Sequence, residues 1–127
     1  MDAGKIIYPE LSYIIIGIAF KVFNELGFGM NEKYYQRAIE QELKKEKIYY
    51  QKEKVVKLTY NGQNIGNYRL DFIIDNKIIV ELKVKSRFGY VHIKQVLSYL
   101  KSTNIKLAIL IYFTRNGVKY RRIVNIK

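Results

Sequence analysis

Residues 69–84 read Arg69-Leu-Asp-Phe-Ile-Ile-Asp-Asn-Lys-Ile-Ile-Val-Glu-Leu-Lys-Val84. Two apolar runs flank the tripeptide Asp75-Asn-Lys77, so the stretch reads as two strands joined by a short turn. Asp71, Glu81 and Lys83 interrupt the apolar pattern. A charge on a core-facing strand costs free energy unless it has a partner, an ion or a solvent-facing side. In an antiparallel pair, opposite residues point to the same face about 5 Å apart. A three-residue turn sets Ile74 against Ile78 and therefore Asp71 against Glu81, whereas a two-residue turn sends Glu81 to the other face. Lys83 lies two residues beyond Glu81 and shares its face.

With the three-residue turn, or an equivalent bulge, the two carboxylates can share a divalent cation, and the Lys83 ammonium can orient a water or bind a phosphate. Phosphodiester hydrolysis needs those functions: a nucleophilic water, neutralised charge on phosphorus and a stabilised leaving oxygen. A salt-bridge cluster on an ordinary hairpin has the same spacing, and the spacing alone leaves both readings open.

Outward from this stretch, residues 12–26 are apolar nearly all round, which predicts a largely buried helix ending at Gly27-Phe-Gly29. Asn31 can cap a second helix over residues 32–47, with Tyr35, Ala38, Ile39 and Leu43 on one face. A strand over 55–60 leads through the hairpin signal Asn61-Gly62 into a returning strand over 65–74. The strand 78–84 is followed by a helix over 91–101, and strands 105–113 and 118–125 close the chain around Asn116-Gly117. The predicted order is α-α-β-β-β-α-β-β.

Composition bounds the function. At 127 residues the chain is expected to be one domain, and 49% hydrophobic residues argue against disorder. The longest apolar run, residues 13–20, stops at Lys21, short of the about 20 residues a membrane span requires. Asp2 and Glu10 disfavour a signal peptide. With no cysteine, disulfides and thiolate metal sites are excluded, and a cytoplasmic setting is expected. A single histidine, His92, disfavours zinc; at a helix start it reads as a structural residue or a neighbour of the site. The net charge of +12, with 23 basic residues against 11 acids, predicts a polyanionic partner. The bias towards Lys, Ile, Asn and Tyr is also what an AT-rich genome produces, but that bias does not account for so few acids.

Further motifs lie in order along the chain: Gly29-Met-Asn-Glu32-Lys-Tyr-Tyr35 (G-x-x-E-x-x-Y), Tyr60-Asn-Gly62, Gly66-Asn-Tyr-Arg69-Leu-Asp71-Phe, Val80-Glu-Leu-Lys83, Gln95-Val-Leu-Ser-Tyr99 and Arg121-Arg-Ile-Val124. In this order and spacing the sequence resembles the GxxExxY family of small proteins, within the PD-(D/E)xK nuclease superfamily, over nearly its whole length. The resemblance implies an α/β (α+β) restriction-endonuclease-like core, a mixed central sheet flanked by helices. It implies metal ligands at Asp71, Glu81, the Leu82 backbone carbonyl and Glu32, with Mg²⁺ (or Mn²⁺) as cofactor. Lys83 takes the place of the catalytic lysine, and the Q-x-x-x-Y pattern falls on Gln95 and Tyr99, one turn apart on one helix face. Leu70 stands where the superfamily's name has proline.

Each position also has a plainer reading. Glu32 suits a helix start through the helix dipole alone. Gln95 and Tyr99 can border the core. Arg69 shares the Asp71 face by strand alternation and either meets a phosphate or pairs with that acid. Lys85 and Arg87 are candidates for nucleic-acid binding or an ordinary solvated charge run. The expected function is a metal-dependent nuclease acting on nucleic acid, DNA first, with branched and single-stranded forms as candidates. A homodimer would suit junction or paired cutting, though no sequence feature marks a dimer face. The alternatives are a non-catalytic nucleic-acid-binding module with the same fold, and a subunit whose basic surface binds an acidic protein.

Overall fold

A computed structural model of the chain describes residues 7–85 and 91–125, so Arg87 lies outside the described residues. All eight predicted elements form in the predicted order: α1 (Pro9–Leu26), α2 (Glu32–Lys45), β1 (Tyr50–Tyr60), β2 (Gln63–Ile74), β3 (Ile78–Val84), α3 (Val91–Thr103), β4 (Leu107–Thr114) and β5 (Gly117–Val124). The helix α1 starts a turn earlier than its apolar pattern suggests, with Pro9 in its first turn, where a missing N–H costs nothing. It ends at Gly27, whose φ of +75° suits a residue without Cβ. Asn31 caps α2 by accepting the Lys33 N–H at 3.0 Å. The Tyr35 ring is fully buried against Phe113, and its hydroxyl donates to the Gly27 carbonyl and accepts the Met30 N–H at 3.3 Å. The tyrosine of G-x-x-E-x-x-Y therefore locks the α1–α2 corner and fixes where α2 begins.

The sheet runs β1-β2-β3-β4-β5, antiparallel throughout except for the β3–β4 pair, which is parallel and joined by the α3 crossover. One core layer packs α1 and α2 against the sheet through Ile15, Ile39, Leu43, Phe72 and Ile109. The other packs α3 through Ile79, Val96, Tyr99, Leu100 and Leu110. Alternation along β4, buried at every residue, supplies both layers and explains its unbroken apolar run. β1 starts at Tyr50 rather than at residue 55, and it carries Lys52, Glu53 and Lys54 in its first half. Such charges hide a strand from pattern reading, yet they suit an edge strand with one solvated side.

The turn after β2 has the length the site requires. Ile74 pairs with Ile78 and Phe72 with Val80 across Asp75, Asn76 and Lys77. Asp75 and Asn76 both adopt left-handed φ values, +54° and +55°, and the Lys77 N–H closes the turn onto the Ile74 carbonyl at 2.9 Å. No helix among the described residues is long and apolar enough to cross a membrane.

Candidate active site

The β2–β3 ladder stops at Phe72–Val80, one rung short of Asp71 and Glu81. At that point side chains replace the backbone ladder. Leu82 N–H donates to Asp71 Oδ2 at 2.7 Å, and Asp71 N–H donates to Glu81 Oε1 at 2.8 Å. On the other side of β2, the register sets Glu53 against Asp71, but the two do not pair, and Glu53 takes a left-handed φ of +54°. The sheet therefore parts on both sides of Asp71. Leu70 packs in the α3 layer and Phe72 in the opposite one, so strand alternation is broken at this residue. Arg69, placed beside Asp71 by alternation, is exposed, and the break removes the reason for a shared face.

Two carboxylates held together out of water disfavour each other's charge. Burial, followed by the Asp71 charge, pushes Glu81 up to about 8, although Asp71 N–H and Lys83 act in the opposite direction. Asp71 is also raised, chiefly by burial, against the stabilising Leu82 N–H. Glu81 is only 4% exposed and has no ion pair among the described residues, so the salt-bridge reading of the cluster fails for it.

Elements from both faces converge on this break. From α2, Gln36 Nε2 donates to Asp71 Oδ1 at 2.8 Å. Glu32, one turn earlier, is raised by burial and by the Asp71 charge, and is relieved by Lys83 and Lys85. From α3, the Tyr99 phenol comes near Glu81: burial, followed by the Glu81 charge, raises it further above its ordinary value. Tyr68 of β2 packs edge-on against the Tyr99 ring at 4.4 Å. Lys83 is half-buried on β3, and its charge acts on Glu32, Asp71, Glu81 and His92 alike. Burial and the charges of Lys83 and Lys85 lower the His92 imidazole below its ordinary value, and its Nδ1 hydrogen-bonds the Tyr112 hydroxyl.

The structure thus brings Asp71, Glu81, Glu32, Lys83 and Tyr99 together. Gln95 is half-buried one turn before Tyr99, and its side chain makes no hydrogen bond to another described residue. Lys85 is exposed just past β3 and anchored through its N–H to the Phe113 carbonyl at 3.3 Å. Sequence reasoning missed Gln36 and Tyr68. The signal for Gln36 was its place one turn after Glu32 on the same helix face.

The residues fit a hard divalent cation. Among the described residues no three acidic or histidine side chains form a ready-made cage. Mg²⁺ typically takes one or two carboxylates and completes its shell with water and phosphate. A cation between Asp71 and Glu81 would take over the role of the proton that burial and the Asp71 charge now favour on Glu81. The N–H and C=O of a strand residue project to the same side, so the Leu82 carbonyl is turned towards the break that its N–H faces.

Residues 9–123 match the family model of the PD-(D/E)XK nuclease superfamily. The solved structure of SSO0001 superposes with a TM-score of 0.52 at 18% identity, covering 91% of this chain and 77% of that one, a likeness of fold. The alkaline exonuclease LHK-Exo from Laribacter hongkongensis aligns at a TM-score of 0.45 and 11% identity, over 95% of this chain and 72% of that one. No curated protein matches the chain significantly.

Proposed function

Because the chain belongs to the PD-(D/E)XK nuclease superfamily, we propose that it is a metal-dependent nuclease hydrolysing phosphodiester bonds in DNA, the 127 residues acting as one domain. The observation that carries this reading is the break in the sheet at Asp71 and Glu81, where a half-buried aspartate meets a buried glutamate, raised by burial and by the Asp71 charge, beside Lys83. Asp71, Glu81 and the Leu82 carbonyl would hold Mg²⁺ or Mn²⁺, with Glu32 as a further candidate ligand. The bound cation supplies an activated water and neutralises charge on the phosphate. Lys83 binds the scissile phosphate or orients the water, and its position between four titratable neighbours supports that role. Tyr99 fixes the Glu81 carboxylate, Gln95 supports the same helix face, and Arg69, Lys85 and Arg87 contact the nucleic-acid backbone. Placement within the GxxExxY family is supported by Tyr35, whose hydroxyl holds Gly27 and Met30 ahead of α2, and by Glu32 in the first turn of that helix.

The test is a cleavage panel of single-stranded, duplex and four-way DNA, with RNA alongside, in Mg²⁺ or Mn²⁺. Asp71→Ala, which removes a metal ligand, and Lys83→Ala, which removes the phosphate- or water-orienting cation, are each expected to abolish cleavage while DNA binding persists. If the wild type and both variants are equally inert on every substrate, the chain is a binding module and the proposal fails.

A further inference from the structure

Residues 54–70, the outer part of β1 and β2, form a two-stranded ribbon that leaves the sheet at the break beside Asp71. β3 pairs with β2 only at Phe72, Ile73 and Ile74, so the rest of the ribbon stands beyond the sheet. Its inner face is pinned: Val56 and Leu70 are buried in the α3 layer, and Tyr68 packs on Tyr99. Its outer face carries Val55 opposite Arg69 and Lys57 opposite Asn67, all exposed. At the tip, Tyr60 and Ile65 are 65% and 61% exposed and flank the amide residues Asn61, Gln63 and Asn64. Residues 54–70 include Lys54, Lys57 and Arg69 and no acid, and these cations have no ion pair among the described residues.

We propose that this ribbon is a duplex-binding arm, which lies in a groove of double-stranded DNA and delivers its backbone to Asp71 and Glu81. A two-stranded β-ribbon fits the major groove, about 12 Å wide. Lysine and arginine neutralise phosphates, while the amides and the exposed apolar tip face base edges. Tyr68 packs the arm on Tyr99 of α3, and the ribbon ends at Leu70, next to Asp71 and its bond to Glu81, so DNA held by the ribbon lies beside the candidate ion site. The delivery part of the proposal rests on the nuclease reading; the binding part does not.

The experiment measures binding of the full chain to a fluorescent DNA duplex by anisotropy, in EDTA so that cleavage plays no part, over a range of salt. Lys54→Gln/Lys57→Gln is compared with Lys44→Gln/Lys45→Gln, which removes the same charge from the last turn of α2, at the opposite end of that helix from Glu32. All four lysines are exposed, so folding is expected to survive, and a melting curve checks it. The ribbon variant is expected to bind about tenfold or more weakly, with a salt slope reduced by about 0.9 for each phosphate that is no longer neutralised. The α2 variant keeps wild-type slope and affinity within a few-fold. Equal losses from both variants, unchanged binding by the ribbon variant, or no duplex binding by the wild type overturns the proposal. A wild type that binds through the ribbon but cleaves nothing overturns the nuclease reading and leaves the arm in place.

Discussion

Gln36 carries no charge and lies on a helix, yet it holds one of the two carboxylate oxygens at the centre of the site. Asp71 Oδ2 is fixed by the Leu82 N–H, an obligatory backbone donor that no substitution at position 82 other than proline removes. Oδ1 depends on the Gln36 amide alone among its described hydrogen bonds. Groups that orient a metal ligand typically cost 10–100-fold in metal affinity or activity when removed. Gln36→Ala is therefore expected to lower metal-dependent cleavage by about 10-fold or more, with most of the loss recovered at high Mg²⁺. A Mg²⁺ titration of cleavage rates reads this, and an unchanged Mg²⁺ dependence would show that Gln36 is only a packing residue. The carboxylates and Lys83 were legible in the sequence because charges stand out against apolar strands. Gln36 was not, because an amide on an amphipathic helix is ordinary until the strand it touches is known.

At the scale of elements, the Asp75–Lys77 turn sets the register that brings Asp71 and Glu81 to one place. Asn76 sits at φ +55°, a conformation that asparagine tolerates and β-branched residues resist. Asn76→Val is expected to lower stability by about 1–2 kcal/mol in urea unfolding, while Asn76→Gly stays close to wild type. A neutral valine variant would mean that the turn relaxes to another geometry. The sequence offered the three-residue turn only as the condition for a shared site, and the observed register meets it. The parting of β2 from both neighbours did not, since it depends on Glu53 and Asp71 failing to pair across strands that the sequence separates by a hairpin. The early start of β1 was missed for a related reason: charged residues on an edge strand carry no periodic signal.

For the whole molecule, the raised carboxylates link stability to pH. Glu81 goes from 4.5 unfolded to about 8 folded, and Asp71 and Glu32 shift in the same direction. Stability from Glu81 is complete below pH 4.5 and is lost as pH rises through about 8, because it must ionise where burial and the Asp71 charge oppose it. The metal-free chain should thus melt lower at pH 9 than at pH 6. A divalent ion reverses the trend, since its ligands must be deprotonated: affinity should rise about tenfold per pH unit for each proton displaced. Melting curves at pH 5, 7 and 9, with and without Mg²⁺, check this. A stabilisation by Mg²⁺ that does not grow with pH, or that grows equally in Glu81→Gln, would exclude Glu81 as a ligand. The sequence by itself determined the element order, the basic character and the acid–acid–lysine pattern, because each rests on local spacing and composition. Only the tertiary structure decided which helix reaches Asp71, where the sheet parts, and how far Glu81 is removed from water. Burial and charge proximity depend on residues far apart in the chain, and no local pattern records them.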